Sequence, residues 1–466
     1  MTKAINRELL VLGGVIVLGA IMSILDATIV NVAVPTLSRR FDATVTAIQW
    51  VVTAYLLAFA AVIPLSGWLT RRFGAKRVWI AALVLFMAGS VLAGLSWSLG
   101  SLVVFRVVQG LGGGLIMPVG QAILARAAGP ERMGRVMSVV GIPMLLGPVF
   151  GPVLGGVLVD DASWRWIFFV NLPVGALALL LAVRLLPPSQ PQPAQRLDVR
   201  GLFLLPPGLA LSIYGLAQVG AHGTISGART LAPLLAGALL LGVFVPHALR
   251  LRHDALLDLT LLKRRGFAAA CATTLLLGIA LFGALILLPL YYQLVRGESA
   301  IATGLLLMPQ GIGAALAMPV AGWLTDRSGA RTVIPLGICV ALVGALGLTR
   351  VDGDASYAFL ASALFVIGLG LGSTIMPAMA AAFQSVPREA VEQATSAINV
   401  VQRLAGSLGT ALLAVVLQRQ LPAHSPATAF AHSFWIAVAL VATALVPALL
   451  LPRRLARPAS RPATAS

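Results

Sequence analysis

The sequence predicts an all-α integral membrane protein with two six-helix bundles plus two inserted helices, fourteen transmembrane helices in all. Three observations support this fold class. Hydrophobic residues make up 59% of the 466 residues and charged residues only 10%, whereas a soluble domain carries about a quarter charged residues. Fourteen stretches hold the roughly 20 apolar residues that a helix needs to cross a bilayer. Two segments also recur, in the same order, in the two halves of the chain.

The predicted spans follow one another through short connections, with no soluble domain between them. They lie at roughly 9–35, 46–69, 78–97, 100–124, 136–158, 167–187, 199–219, 229–249, 267–292, 300–324, 332–350, 356–384, 394–418 and 432–451. Cytoplasmic loops carry an excess of Lys and Arg. With both termini in the cytoplasm, 24 of the 33 basic residues lie on the cytoplasmic side, 7 outside and 2 within spans. The net charge of +18 then reflects topology and anionic lipid rather than nucleic acid.

A repeat divides the chain into two halves of the same orientation. The segments "IPLSGWLTRRFGAKRV" (63–78) and "MPVAGWLTDRSGARTV" (318–333) are identical at nine of sixteen positions, and "GLGGGLIMP" (110–118) is echoed by "GLGLGSTIMP" (368–377). Parallel repeats of this kind are typical of secondary transporters. We therefore expect four regions: an N-terminal six-helix bundle, a linker with two inserted helices, a C-terminal six-helix bundle and a cytoplasmic tail, at 1–187, 188–250, 251–451 and 452–466.

Four motifs resemble one known family. They are "LDATIVNVAVP" (25–35), "IQWVVTAYLLA" (48–58), "GIPMLLGPVFGPVLGG" (141–156) and "SWRWIFFVNLPVG" (163–175). Together they resemble the major facilitator superfamily, and within it the fourteen-helix drug:proton antiporters of the EmrB/QacA type. The resemblance implies the major facilitator fold in a multi-pass protein of the cell (inner or plasma) membrane, with drug efflux driven by protons.

One aspartate lies deep within an otherwise apolar span. Asp26 is about 13 Å below the end of its helix, at ~1.5 Å per residue, and an intramembrane acid is a functional hypothesis by default. Arg106 lies roughly 9 Å deep from the same side, so contact between the two is permitted, and Gln109 follows one turn later. In the resembling family this arginine is linked to proton coupling. We expect Asp26 and Arg106 to couple protons and Asp26 to face the cavity between the halves; a static structural ion pair is the alternative.

The fifth predicted span concentrates small and helix-bending residues, and contains no charge. These residues are Gly147, Pro148, Gly151, Pro152, Gly155 and Gly156. Glycines four residues apart allow a neighbouring helix to pack closely, and the prolines bend the helix. The resemblance implies an antiporter helix, a hinge between the halves that seals against proton leak. From the residues alone, a purely structural packing seam is equally compatible.

The two repeated loops are candidates for conformational gating. The first holds Gly67, Arg71, Arg72, Gly74 and Arg77, and the second holds Gly322, Asp326, Arg327, Gly329 and Arg331. The basic side chains have helix C-terminal carbonyls or lipid phosphates within reach. In the family pattern an acid here pairs across to lock one conformation. Asp326 supplies that acid, whereas Arg71 reverses the charge in the first loop and puts its usual interaction in doubt. Topology determinants alone are the alternative.

A third group of residues is expected to line the substrate cavity. Its members are Asn31, Trp50, Tyr55, Gln109, Tyr214, Asn399, Gln402 and Arg403. Aromatic faces attract cations, although aromatic residues also populate membrane interfaces. Arg403 has two interpretations, contact with an anionic group or extension of the side chain toward the cytoplasm, and the second is slightly favoured.

The sequence argues against an enzyme and against ATP as the direct energy source. It has no phosphate-binding GxxxxGK[ST] loop, no metal-ligand cluster and no nucleophile–base pair in a span. We therefore expect no cofactor, no metal, no nucleotide and no nucleic acid; the partners are a small-molecule substrate, protons and the lipid bilayer, and the oligomeric state is left open. The predicted function is proton-coupled multidrug efflux of amphipathic or cationic compounds by alternating access, in which ionised Asp26 attracts the substrate. Export of one specific metabolite, antibiotic or lipid is the alternative.

Overall fold

The structure, a computed structural model, describes residues 7–129, 132–189, 191, 196–222, 227–351 and 354–452. Within helices, the side chains at 45, 139–140, 142–150, 152–153, 160, 221–222 and 300–301 lie outside the description. So do the predicted tail beyond Pro452 and most of the proline-rich linker. The described residues form α-helices and three short 3₁₀ turns, with no β-strand among them.

The N-terminal half contains eight helical segments, because two predicted spans are broken. They are α1 (Arg7–Phe41), α2 (Val45–Val62), α3 (Leu65–Phe73), α4 (Ala75–Gly94), α5 (Leu99–Ala128), α6 (Met133–Asp161), α7 (Trp166–Phe169) and α8 (Asn171–Leu185). A hairpin of two helices follows, α9 (Val199–His222) and α10 (Ala228–Leu251).

The C-terminal half also contains eight helical segments, with breaks in the fourth and sixth of its predicted spans. Its helices are α11 (Arg265–Leu294), α12 (Ala300–Ser328), α13 (Ala330–Leu348), α14 (Tyr357–Gly372), α15 (Ile375–Gln384), α16 (Val391–Gln420), α17 (Pro426–Thr443) and α18 (Leu445–Leu449). The 3₁₀ turns lie at Arg252–Asp254, Leu259–Lys263 and Arg388–Ala390.

Twelve helices among the described residues are long and apolar enough to cross a membrane, or thirteen if the bent pair α2 and α3 forms one span. That pair replaces the continuous helix predicted at 46–69, because the chain bends by 57° at a break that contains Pro64. The helix α6, which has 29 residues and only partly described side chains, is not among the twelve. A predicted boundary was also wrong: α1 continues through Pro35 to Phe41, so Arg39 and Arg40 lie in its last turn.

Both halves bring their helices together through glycines. A Cβ added at Gly112 of α5 would lie 2.5 Å from the backbone nitrogen of Phe86 in α4, and one added at Gly372 would lie 2.5 Å from the carbonyl oxygen of Ala314. Side-chain-free surfaces such as these let helix backbones approach closely in a membrane.

The repeat is visible in backbone geometry. Gly74 and Gly329 end α3 and α12 with φ of 88° and 87°, and each donates its N–H to the threonine carbonyl four residues earlier at 2.9 Å. Left-handed conformations of this kind favour glycine. The end of the bundle that carries Gly74 and Gly329 is called the gate end below.

The two halves meet chiefly through α6 against α12 and α15, and through α16 against α3 and α5. The hairpin lies to one side of this arrangement: α10 packs on α9, and α9 packs on α2 and α16. The hairpin therefore borders the seam between the two halves without entering the N-terminal bundle that surrounds Asp26.

Candidate functional site

Asp26 lies inside the N-terminal bundle with its side chain fully buried. Three donors converge on its carboxylate: Arg106 Nη1 at 2.5 Å from Oδ2, Gln109 Nε2 at 2.8 Å from Oδ1 and Asn171 Nδ2 at 3.0 Å from Oδ1. Four groups from α1, α5 and α8 thus form one polar centre within an apolar core. Charge-assisted hydrogen bonds of this kind are about twice as strong as neutral ones.

Arg106 is held on several sides. Its Nε donates to the carbonyl oxygen of Val51 at 3.2 Å, and Nη1 also donates to Gln109 Oε1 at 2.7 Å. The guanidinium carbon lies 4.0 Å from the ring centroid of Tyr55 and 5.7 Å from that of Phe168. Aromatic faces stabilise a desolvated cation. Among the described residues Nη2 has no hydrogen-bond partner, so these rings contribute much of its environment.

Two members of the centre, Ser90 and Asn171, were missed by the sequence reasoning. Ser90 Oγ accepts from Gln109 Nε2 at 3.1 Å and from Asn171 Nδ2 at 3.0 Å, and it donates to the carbonyl oxygen of Phe168 at 2.8 Å. Each amide therefore uses one N–H for Ser90 and one for Asp26. Two sequence features could have pointed to them. Asn171 is an amide near the start of a predicted span, in "FFVNLPVG", and Ser90 follows Gly89 in an apolar run.

Gly89 sets the distance between the helices that carry these groups. A Cβ added there would lie 2.6 Å from the backbone Cα of Gln109, closer than real Cβ contacts come. The small residue lets α5 pack directly on α4, and Gln109 then reaches both Ser90 and Asp26. This glycine is a structural requirement of the polar centre.

The donor set determines what the centre is able to do. Among the described residues, every hydrogen-bonding group that contacts the Asp26 carboxylate is a donor, which suits an ionised carboxylate. A proton added to this carboxylate competes with those donors, so protonation requires at least one of them to move. Proton uptake and a change in the contacts between α1, α5 and α8 are therefore linked.

The burial of Asp26 corrects one expectation. Its side chain is 0% exposed and does not line an opening between the halves, because Gln109, Asn171 and Arg106 enclose it. A direct attraction between ionised Asp26 and a cationic substrate has no support in this geometry.

The second gating loop closes against the N-terminal half. Asp326, at the end of α12, accepts from Gly134 N at 2.8 Å and Arg135 N at 3.4 Å, and pairs with Arg135 Nε at 2.9 Å. The carboxylate thus lies at the N-terminus of α6, where the helix dipole favours an anion. A Cβ added at Gly322 would lie 2.7 Å from the carbonyl oxygen of Gly134, so the two backbones are in contact.

The first gating loop uses the opposite charges. Gly67 packs on the start of α16, where a Cβ would lie 3.4 Å from the carbonyl oxygen of Glu392. Here the acid belongs to the C-terminal half. The buried Glu392 of α16 forms an ion pair with Arg126 of α5 and interacts electrostatically with Arg71. At the first loop the N-terminal half thus supplies the basic residues and the C-terminal half supplies the acid Glu392. An ion pair still joins the two halves here, through Arg126 and Glu392.

The remaining loop residues have more local surroundings. Arg71 Nε donates to Gly67 O at 3.3 Å, and the Arg327 guanidinium lies 5.3 Å from the Trp323 ring. Arg77 is exposed, and Arg72 and Arg331 are half-buried. These placements are compatible with the alternative of topology determinants for Arg72, Arg77 and Arg331.

The cavity candidates fall into two groups. Near the seam, Asn399 donates to Gln121 Oε1 at 2.8 Å across the halves, Gln402 donates to the sulfur of Met379 at 3.6 Å, and the Arg403 guanidinium lies 4.0 Å from the Phe59 ring. This stacking places the Arg403 guanidinium against the N-terminal half.

The other candidates lie elsewhere. Trp50, which is 44% exposed, stacks on Tyr214 of the hairpin with ring centroids 5.6 Å apart. These two residues thus join α2 to α9. Tyr55 is buried and donates to the carbonyl oxygen of Ser23 at 3.2 Å, while Asn31 is exposed on α1.

The predicted antiporter helix packs on α1. A Cβ added at Gly151 would clash with Thr28, and one at Gly155 would lie 3.0 Å from the carbonyl oxygen of Ile29. Gly156 faces open space. The surroundings of Gly147, Pro148 and Pro152 lie outside the described residues. The close contact fits a packing seam and equally a hinge next to the helix that carries Asp26.

No group of three or more His, Cys, Asp or Glu side chains that suits a metal ion occurs in the described part of the chain.

Comparisons with known proteins agree with this architecture. A model of the Major Facilitator Superfamily matches residues 16–410. The chain is 39% identical to the multidrug resistance protein B homolog of Mycobacterium tuberculosis, over 95% of this chain and 89% of that protein. It is 30% identical to the multidrug export protein EmrB of Haemophilus influenzae, over 85% and 78% respectively.

Solved structures share the fold at low sequence identity. The human organic anion transporter MFSD10 (TETRAN) gives a TM-score of 0.65 at 17% identity, covering 96% of this chain and all of that one. The proton:xylose symporter XylE gives 0.64 at 17%, covering 94% of each chain. By family match, similarity to relatives and fold together, the chain belongs to the major facilitator superfamily of multi-pass membrane transporters, which are not enzymes.

Proposed function

We propose that this protein is a proton-coupled multidrug efflux antiporter of the fourteen-helix type, working by alternating access in the cell membrane. The relatives named for multidrug resistance and export support the efflux function. We also propose that the spans are the twelve long helices, the bent pair and α6, with both termini cytoplasmic. The bundles are then 1–187 and 251–451, the hairpin region is 188–250 and the tail is 452–466.

The observation that carries the proposal is the Asp26 centre. A buried carboxylate with donors on every described contact is stable when ionised, and it accepts a proton only when those contacts change. α1 also packs on α6, which in turn contacts the C-terminal half. A shift of α1 on protonation is therefore transmitted directly to the interface between the halves.

The gate end provides the two-state element that such a cycle needs. The Asp326–Arg135 and Glu392–Arg126 pairs join the halves at this end. With this end cytoplasmic, the described conformation is closed toward the cytoplasm. In our proposal Asp26 takes up a proton from outside, the gate pairs break, and the proton leaves to the cytoplasm. A membrane potential contributes ~2.3 kcal/mol per charge per 100 mV to this movement.

The test uses purified protein in liposomes with an imposed pH gradient and a fluorescent amphipathic dye. We expect the gradient to drive dye movement by the wild type and the Asp26→Asn variant to lose this response. Asp161→Asn is the matched control, because Asp161 is an exposed carboxylate at the end of α6. Equal gradient-driven transport by wild type and Asp26→Asn would overturn the assignment of the proton site. A wild type that moves no dye, with or without a gradient, would favour export of one specific metabolite.

A further inference from the structure

We infer that the substrate carries an anionic group and that Arg403 binds this group in the opening between the two halves. The inference rests on the proposed efflux function and specifies the class of compound that is exported. It departs from the expectation of a cationic substrate.

Arg403 lies on the face of α16 that meets the N-terminal half. Ser396 donates to the carbonyl oxygen of Ile63 at 3.0 Å, and Asn399 donates to Gln121 at 2.8 Å; both are buried. Arg403 follows Ser396 by seven residues and Asn399 by four, and thus shares their face. Unlike them it is exposed, so the packing between the halves leaves accessible space beside Arg403.

The exposure of Arg403 is not exposure to lipid. The outer face of α16 carries Leu408 and Leu412, which are 37% and 40% exposed. At 100° per residue, these leucines point about 140° and 180° away from Arg403. The contact between Arg403 and Phe59 of α2, at 4.0 Å from the ring centroid, also directs the guanidinium toward the opposite half. Arg403 therefore faces the N-terminal half, and it lies farther along α16 from the gate end than Ser396 and Asn399.

The guanidinium has room for an anion. Among the described residues, no carboxylate forms an ion pair with Arg403 and no group makes a hydrogen bond with it. Stacking over Phe59 uses the face of the guanidinium and leaves the N–H groups at its edge to bind a carboxylate, sulfonate or phosphate. The ring beside it suits an aromatic anion.

Asp26 offers no opposing charge to a substrate, because it is 0% exposed and paired with Arg106. The charge that a compound meets at this level is consequently positive. A cationic amphiphile is repelled by Arg403, and an anionic one is attracted.

A short series of ring contacts links this position to the Asp26 centre. Arg403 lies on Phe59, whose ring centroid is 5.8 Å from that of Tyr55, and Arg106 lies 4.0 Å from the Tyr55 ring. Two aromatic side chains, Phe59 and Tyr55, thus lie between Arg403 and Arg106. Outward movement of a monoanion and inward movement of a proton also carry charge in the same sense, so transport should be faster with a potential that is negative inside.

The experiment compares two dyes with the same xanthene skeleton and opposite charge, anionic fluorescein and cationic rhodamine 123. Binding to the purified full chain is followed by fluorescence polarisation, with empty micelles as the blank. The variants are Arg403→Gln, Arg403→Lys and, as the control on the same helix, Arg419→Gln, since Arg419 is exposed in the last turn of α16. Monodispersity on size exclusion confirms that each variant is folded.

We expect fluorescein to bind the wild type more tightly than rhodamine 123 does. Arg403→Gln should weaken fluorescein binding about 10- to 100-fold, the range of a lost charge-assisted contact. Arg403→Lys should retain most of the affinity, and Arg419→Gln should behave as the wild type. Preference of the wild type for rhodamine 123, or fluorescein binding that is absent or indifferent to Arg403→Gln, would overturn the inference. Arg403-dependent binding without pH-driven transport would instead leave the inference standing and refute proton coupling.

Discussion

The strength of the gate at Asp326 is open to a quantitative test. This side chain is fully buried and holds the C-terminal half against α6 through Arg135 Nε and two backbone N–H groups. Asp326→Asn keeps the size of the side chain and removes its charge. Hydrogen bonds to charged groups contribute about 1.5–3 kcal/mol each, and the amide oxygen still accepts one of the three. Losing two of the three bonds therefore costs about 3 kcal/mol at the lower end of that range, or about 150-fold in the ratio of closed to open gate.

The assay measures the distance between spin labels at Phe73 and Ser328, two exposed positions on opposite halves at the gate end. A background without Cys271 and Cys339 avoids additional labelling. The wild type should give mainly the short distance, and Asp326→Asn should add a long-distance population. Glu389→Gln is the matched control, because Glu389 is an exposed acid at the same end that forms no ion pair with any described residue. An unchanged distribution for Asp326→Asn, or an equal shift in Asp326→Asn and Glu389→Gln, would refute the assignment of Asp326 as a lock.

Three further predictions concern the gate and the polar centre. Glu392→Gln should open the gate in the same spin-label assay, because it breaks the ion pair with Arg126. Its effect should add to that of Asp326→Asn, because the two acids share no partner. A double variant that is no more open than either single variant would contradict two separate locks. Gly89→Ala should lower the melting temperature and impair pH-driven transport, since the added Cβ would lie 2.6 Å from Gln109 Cα. The control is Gly14→Ala, because a Cβ at Gly14 meets nothing within 4 Å. Asn171→Ala removes one of the three donors to Asp26 and should reduce coupled transport about 5- to 150-fold, the equivalent of about 1–3 kcal/mol, while dye binding stays within about 3-fold. An unaltered transport rate would show that this amide is dispensable.

The sequence predicted the features that depend on depth and repetition. Counting residues from the helix ends placed Asp26 and Arg106 at compatible depths, and the structure brings them within 2.5 Å. The two repeated loops predicted equivalent backbone geometry, which Gly74 and Gly329 display. Both inferences use only the fixed rise of a helix and the identity of two segments, and these are properties of the chain itself.

Other features depend on how helices rotate and pack, which one sequence does not specify. A serine in an apolar helix often bonds its own backbone, so Ser90 carried no visible sign of its contacts with Gln109 and Asn171. Glu392 lies beside a predicted span boundary, and its partner Arg126 is 266 positions away. The proximity of Arg71 and the acid Glu392 thus depends on how the two halves pack, which the sequence alone does not specify. The stacking of Trp50 on Tyr214 likewise depends on where the hairpin docks.

The central claim is that Asp26 carries the proton that is exchanged for substrate. The most direct measurement uses proteoliposomes that contain a pH-sensitive dye and start with a substrate gradient but no pH gradient. For the wild type we predict that substrate leaving one side drives protons the opposite way. For Asp26→Asn we predict substrate movement down its gradient without proton movement. Proton movement by Asp26→Asn at the wild-type ratio would contradict the account, because a residue other than Asp26 would then carry the proton.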